Sequence, residues 1–268
     1  MFGLTIASQK GGVGKTTVAL NLSYAMARRG WRTLLVDTDP AGAIGLSLTK
    51  KLSQAPGLAD HLYQHTPIAG LIVETKLKGL GILPTGKIPA DESERFTNGL
   101  ADGAVLKAIQ TAAQGRYDVV VYDTPSGFVG ATLGAMRASR YVVSPVQAEP
   151  IAARGVMRIF EVIGALRAKG HPVELLGILL TMLHTKTQSS LAVAEDLWKT
   201  LPGNLLFEAT VPRDPAFLEA SAAGVPVGLL RRRPPPIAMV FDQLAAELEA
   251  RLAPDAKDVA NEPIALVD

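Results

Sequence analysis

None of the 268 residues is cysteine. Disulfides, thiolate metal sites and cysteine-ligated iron–sulfur clusters are thereby excluded. Nor is there an apolar run that approaches the roughly 20 residues a bilayer-spanning helix needs. The first residues lack the charged region, hydrophobic stretch and cleavage site of a secretory leader, so a cytoplasmic protein is expected. Charge of one sign is also scarce. The 27 Lys and Arg face 25 Asp and Glu, a net of +2, which by itself does not mark a nucleic-acid binder. The balance is uneven along the chain: residues 254–268 hold Asp255, Asp258, Glu262 and Asp268 against Lys257 alone. The remaining body carries an excess of about five basic side chains.

Hydrophobic residues make up 48% of the chain and charged residues 19%, the composition of a globular protein with a substantial core. Near-continuous apolar runs at 4–7, 33–36, 119–122, 141–143 and 176–180 read as buried strands. They alternate with helical patterns over 16–29, 101–114, 152–169, 191–200 and 237–252. That alternation predicts an α/β fold in three layers, a mostly parallel central sheet with helices on both faces. Residues 42–99 read as less regular, with short elements at 71–73 and 80–83. No internal repeat or linker divides the body. One domain over 1–253 is expected, followed by a flexible acidic tail at 254–268.

Between the first strand and the first helix lies Ser8-Gln9-Lys10-Gly11-Gly12-Val13-Gly14-Lys15-Thr16-Thr17. Glycines there let backbone amides converge on an anion, and the helix N-terminus adds its partial positive charge. Lys15 is spaced to reach β- and γ-phosphates, and Thr16 to put its hydroxyl on Mg²⁺. Gln9 stands where the common phosphate-loop pattern has its first glycine, and Lys10 adds a second lysine. The second strand ends in Asp37-Thr38-Asp39-Pro40-Ala41-Gly42-Ala43, and the strand at 119–122 runs into Asp123-Thr124-Pro125-Ser126-Gly127. Carboxylates at the carboxyl ends of parallel strands border the ligand crevice of such a sheet. Asp123 is placed as a Mg²⁺ ligand.

Lys10 to Thr17 resembles the deviant Walker A motif of the ParA/MinD family of ATPases, and the chain is most similar to small Soj-like members. The resemblance extends over most of the body. Asp37 to Ala43 resembles switch I and Asp123 to Gly127 switch II. Pro145-Val146-Gln147-Ala148-Glu149 resembles a Pro-x-Gln-x-Glu segment, and Val211-Pro212-Arg213 the segment that closes over adenine. The resemblance implies the P-loop NTPase fold and slow, partner-stimulated hydrolysis of ATP with Mg²⁺. It implies catalytic roles for Lys10, Lys15 and Asp39, with Lys10 reaching the partner's phosphates in an ATP-dependent homodimer and Asp39 handling the attacking water. It implies that Gly11, Gly12, Val13, Gly14, Lys15, Thr16 and Thr17 bind the phosphates. Pro212 and Arg213 would border the adenine, while Thr16, Asp37 and Asp123 serve the metal. Gln147 and Glu149 would lie at the dimer or nucleotide edge. Three places depart from the family pattern. Ala41 and Ala43 replace a usual Gln and Asn, and Ser126 replaces a common second Pro. The nitrogenase iron protein, a relative of this class, is excluded by the lack of cysteine.

The cargo is less legible. Family members of the ParA kind bind non-specific double-stranded DNA as ATP dimers, and Arg231, Arg232 and Arg233 form the obvious basic cluster for phosphate contacts, with Arg213 and Lys186 as further members. Nucleoid association and an adaptor or ATPase-stimulating protein would follow. The alternative is a MinD-like or regulatory positioning ATPase that acts on a protein or membrane partner. Membrane binding is disfavoured, because the helix at 237–252 leads into an acidic, proline-broken tail. A metabolic or transport ATPase usually needs a dedicated second-substrate pocket or an inserted helical domain, and the sequence shows no insertion large enough. The phosphate loop starts within ten residues of Met1, so a preceding DNA-recognition segment is not expected.

Overall fold

The computed structural model describes residues 1–149, 152–184, 187–203 and 205–253. β1 (Phe2–Ile6) leads through the glycine-rich loop into α1 (Lys15–Arg28), and β2 (Thr33–Asp37) follows. Residues 42–99 are more ordered than their sequence pattern suggests. They form the short helices α2 (Ala43–Leu48), α3 (Lys50–Ser53), α4 (Leu58–Gln64) and α5 (Ile68–Leu71), then β3 (Val73–Glu74), β4 (Leu80–Leu83) and α6 (Ser93–Gly99). Next come α7 (Ala104–Ala113), β5 (Val119–Asp123), α8 (Gly130–Ala138), β6 (Tyr141–Gln147), α9 (Ala152–Ala168), β7 (Glu174–Leu183) and α10 (Gln188–Thr200). β8 (Val211–Pro212), α11 (Ala216–Ala223) and α12 (Met239–Leu252) complete the chain. Helix α7 starts three residues later than the apolar pattern suggests. Gly103 takes φ 83 there, and the Asp102 carboxylate accepts the Ala104 N–H at 2.8 Å, which fixes the helix start.

The strands form one sheet in the order β3-β4-β2-β5-β1-β6-β7-β8. Every pairing is parallel except that of the edge strand β3 with β4. Successive residues of the central strands face opposite layers. Leu4, Ile6, Leu35, Val119 and Val121 pack beneath α1 and α12, whereas Leu34, Val36, Val120 and Tyr122 pack against α7 and α8. Because both faces are covered, these strands read as continuous apolar runs rather than alternating ones.

β5 lies between β1 and β2, and its register aligns the ends of all three strands. Asp123 is paired with Ile6 on one side and with Asp37 on the other. The ends of three strands distant in sequence therefore finish in one row beside the glycine-rich loop, the crevice in which open α/β sheets hold ligands.

No apolar spacing announced α8. It packs closely against the turn at Leu100: a Cβ on Gly134 would stand 1.8 Å from the Leu100 carbonyl oxygen. Gly134→Ala is therefore expected to lower the melting temperature by about 5–10 °C, the effect of an overpacked core position in a domain of this size. Thermal denaturation followed by circular dichroism checks this, and an unchanged midpoint would mean that the turn at Leu100 yields.

Candidate functional site

The glycine-rich loop crosses the end of β1 with Gly12 at φ 74 and Gly14 at φ 88, left-handed conformations that glycine adopts without a Cβ penalty. Gly14 caps α1. No side chain caps this helix and no acidic residue stands in its first turn. Its first amides and its partial positive charge thus remain available to an anion.

The two lysines of the loop point in different directions. Lys15 is buried, and its ammonium reaches back to the Lys10 carbonyl oxygen at 3.4 Å. Burial lowers its pKa, while the Asp123 and Asp39 carboxylates pull the other way. Lys10 instead extends along the rim. Its ammonium donates to Glu149 Oε2 at 2.5 Å and to Gln147 Oε1 at 3.1 Å. Its side chain is 48% exposed.

Asp37 and Asp123 are register partners at the ends of β2 and β5, and Asp39 lies two residues beyond Asp37. The buried Asp37 braces the loop that follows it, its Oδ1 accepting the Asp39 N–H at 3.1 Å and its Oδ2 the Ile44 N–H at 3.0 Å. The Thr85 hydroxyl, which the sequence did not single out, spans the Asp37 and Asp39 carbonyl oxygens at 3.3 and 3.1 Å. Asp39 in turn accepts the Ala41 N–H at 2.9 Å. Asp123 is wholly buried, yet neither of its carboxylate oxygens has a hydrogen-bond partner. Burial raises its pKa well above the usual range, and the neighbouring Asp37 charge adds to the rise; Thr16 lies near enough to oppose it but forms no hydrogen bond with either oxygen. Burial likewise raises Asp37, with the Ile44 and Asp39 amides working against it.

Two adjacent buried carboxylates, one of them unpartnered, form a donor set suited to a hard divalent cation. Among the described residues there is no cluster of three or more His, Cys, Asp or Glu side chains able to hold a metal unaided. A cation at Asp123 would therefore be shared with the phosphates of a ligand, which is the usual situation for Mg²⁺.

Beside the loop opens a cavity of about 490 Å³, lined by Val13 and Gly14 on one side and by Met182, Pro212, Arg213 and Phe217 on the other. Its size and largely apolar walls suit a planar ring next to a phosphate cradle. The sequence pointed to Pro212 and Arg213 but missed Met182 and Phe217. Met182 holds φ 53, a conformation uncommon outside glycine, and only the backbone geometry reveals it.

The arginine cluster stands apart from this cavity. Arg231 donates to Glu219 at 2.8 Å, whereas Arg232 and Arg233 are exposed and carry no side-chain hydrogen bond or ion pair to other described residues. Lys186 and the acidic segment 254–268 lie outside the described residues.

A family profile described as an AAA domain matches residues 3–173. The chromosome partitioning protein ParA of Caulobacter vibrioides is 34% identical over 235 residues, covering 84% of this chain and 85% of its own. The chromosome-partitioning ATPase Soj of Thermus thermophilus is 34% identical over 251 residues, covering 93% of this chain and 96% of its own. Among solved structures, cobyrinic acid a,c-diamide synthase from Mycobacterium smegmatis, with a bound ATP analogue and magnesium, superposes with a TM-score of 0.73 at 26% identity, covering 92% of this chain and 93% of its own.

Proposed function

Because the chain belongs to the ParA/Soj family of partitioning ATPases, we propose that it is an ATP-dependent dimerisation switch that binds non-specific DNA in its ATP state and partitions or positions DNA or another large cargo. One observation carries the switch reading: the divergence of the two loop lysines. Lys15 is buried inside the cradle, while Lys10 lies half-exposed on the rim, held there by Glu149 and Gln147. A cation on the rim can engage the phosphates of a second subunit facing it. Such a contact would favour the dimer only when a terminal phosphate is present, the differential affinity any ligand-driven switch requires.

In this reading Gly11, Gly12, Val13, Gly14, Lys15, Thr16 and Thr17 hold the phosphates of ATP, and Pro212 and Arg213 border its base. Thr16 and Asp123 hold Mg²⁺, and Asp37 serves the same centre by fixing the switch loop. Bound there, Mg²⁺ neutralises charge on the phosphates. The synthase structure with an ATP analogue and magnesium supports these two ligands on the shared scaffold. Asp39, oriented by Asp37 and Ala41, handles the attacking water. The ATPase unit spans 1–253. The protein is cytoplasmic and, when ATP-bound, nucleoid-associated, with an adaptor protein stimulating turnover.

Arg232 and Arg233, with Arg231 once released from Glu219, supply the phosphate contacts to DNA. The membrane alternative is weakened by α12, whose Phe241, Leu244, Ala245 and Leu248 are buried in the core and unavailable to lipid. No helix among the described residues is long and apolar enough to cross a membrane. The test is binding to a random-sequence duplex at fixed moderate salt with ATP and Mg²⁺, with ADP, and without nucleotide. Tight binding is expected with ATP alone. Replacing Arg231, Arg232 and Arg233 together by alanine is expected to weaken it at least tenfold and to reduce the slope of log K against log salt concentration by about one per lost phosphate contact. ATP-dependent dimers that ignore DNA in every state would move the cargo to a protein or membrane surface.

A further inference from the structure

The geometry points to Ser126 as a further substrate-contacting residue, its hydroxyl donating to the terminal phosphoryl group of ATP. This rests on the ATPase reading above. Ser126 is exposed at the carboxyl end of β5, three residues beyond Asp123, and its side chain makes no hydrogen bond to another described residue. It faces Gly11. A Cβ built on that glycine would meet Ser126 Oγ at 3.7 Å and Ser126 Cβ at 3.8 Å, with nothing else within 4 Å. The hydroxyl thus overlooks the mouth of the phosphate loop where a backbone without side chains leaves room for an anion.

The position is fixed as well as near. The Thr124 hydroxyl donates to the Ile6 carbonyl oxygen at 2.8 Å. The Gly127 N–H donates to the Ser8 carbonyl oxygen at 3.1 Å. The Thr132 hydroxyl donates to the Pro125 carbonyl oxygen at 3.0 Å. Residues on both sides of Ser126 are therefore tied down, two of them to the strand and loop that carry the cradle. A donor mounted in this way needs no reorganisation when charge develops opposite it.

In hydrolysis the water oxygen bonds to the γ-phosphorus while the bond from that phosphorus to the bridging oxygen breaks. ADP leaves with the bonding electrons, and the proton of the water passes to Asp39 or to a γ-phosphate oxygen. Charge spreads over the γ-oxygens as this happens, and a fixed hydroxyl there counts for more than in the ground state. ADP has no such oxygens. Ser126 therefore acts on ATP and on turnover, and not on ADP.

The test compares the parent with Ser126→Ala and Ser126→Thr, measuring affinity for a non-hydrolysable ATP analogue and for ADP by calorimetry, and ATP turnover with Mg²⁺. Ser126→Ala is expected to bind ADP like the parent, to bind the analogue about tenfold more weakly, and to turn over at least tenfold more slowly, the scale of one hydrogen bond to a charged oxygen. Ser126→Thr, which keeps the hydroxyl, is expected to restore most of both. If Ser126→Ala matches the parent in the analogue-to-ADP ratio and in turnover, the assignment is overturned. It is likewise overturned if both nucleotides weaken together without rescue by threonine, because the residue then only shapes the loop. A parent protein that neither binds nor hydrolyses ATP would overturn the ATPase reading itself.

Discussion

The Lys10→Ala protein is expected to bind ATP within a few-fold of the parent yet to remain monomeric where the parent dimerises. Within its own subunit Lys10 touches Glu149 and Gln147, on a surface where both charges of the ion pair are 40% exposed or more. Pairs of that kind contribute little to folding, so the variant should remain folded. The cradle retains Lys15, its glycines and the start of α1, so nucleotide affinity should survive. What is lost is the rim cation proposed to reach a facing subunit. Removing one partner of a charged contact across an interface costs a factor of about a hundred or more in affinity. Sedimentation velocity with ATP and Mg²⁺, with ADP, and with no nucleotide reads the result directly. A Lys10→Ala protein that dimerises with ATP as the parent does would refute the trans role. The contrasting variant, Lys15→Ala, serves as the comparison: it should fail at nucleotide binding itself.

Asp39→Ala should separate chemistry from assembly in the opposite sense. Asp39 reaches the site through a braced turn, its N–H on Asp37 and its carboxylate on the Ala41 N–H. It stands on the far side of Asp123 from the phosphate loop, because β5 lies between β2 and β1. A carboxylate so placed can orient a water against a phosphoryl group held in the cradle. Losing such a group costs about 10²–10⁴ in rate. Single-turnover hydrolysis should slow by at least a hundredfold while ATP still binds, so the ATP dimer should accumulate. Unchanged turnover would remove Asp39 from the chemistry. The side chain is not in the core, and Asp37 and Thr85 continue to hold the switch backbone, so a folding defect is not expected to obscure the outcome.

Much of this was open to inspection in the sequence. The buried strands were legible because a parallel sheet covered on both faces must be apolar at every position, and Val119 to Tyr122 shows that pattern without a break. The cradle was legible because backbone convergence on phosphate demands glycines at fixed offsets from Lys15 and Thr16. Less legible were α8 and the helices within 42–99. Helix α8 carries glycines and alanines that allow close approach, as at Gly134, and no clear amphipathic spacing. The short helices of 42–99 are held by tertiary contacts: Ile44 is tied by its N–H to Asp37, and Leu58 by its N–H to the Pro84 carbonyl oxygen.

The sequence by itself determined the fold class and the phosphate loop, because both depend on local rules: apolar periodicity, glycine conformations and the order of strand, loop and helix. It named Asp37, Asp39 and Asp123 and suggested their roles, but not the hydrogen bonds each one makes. Only the tertiary structure decided that Asp37 spends both oxygens on backbone amides while Asp123 is left buried and unpartnered, since that depends on the register of three strands far apart in the chain. The direction of Lys10, the walls of the cavity beside the glycine-rich loop at Met182 and Phe217, and the place of Ser126 opposite Gly11 belong to the same class. Each is a contact between segments that no local pattern relates, and it exists only once the sheet has brought them together.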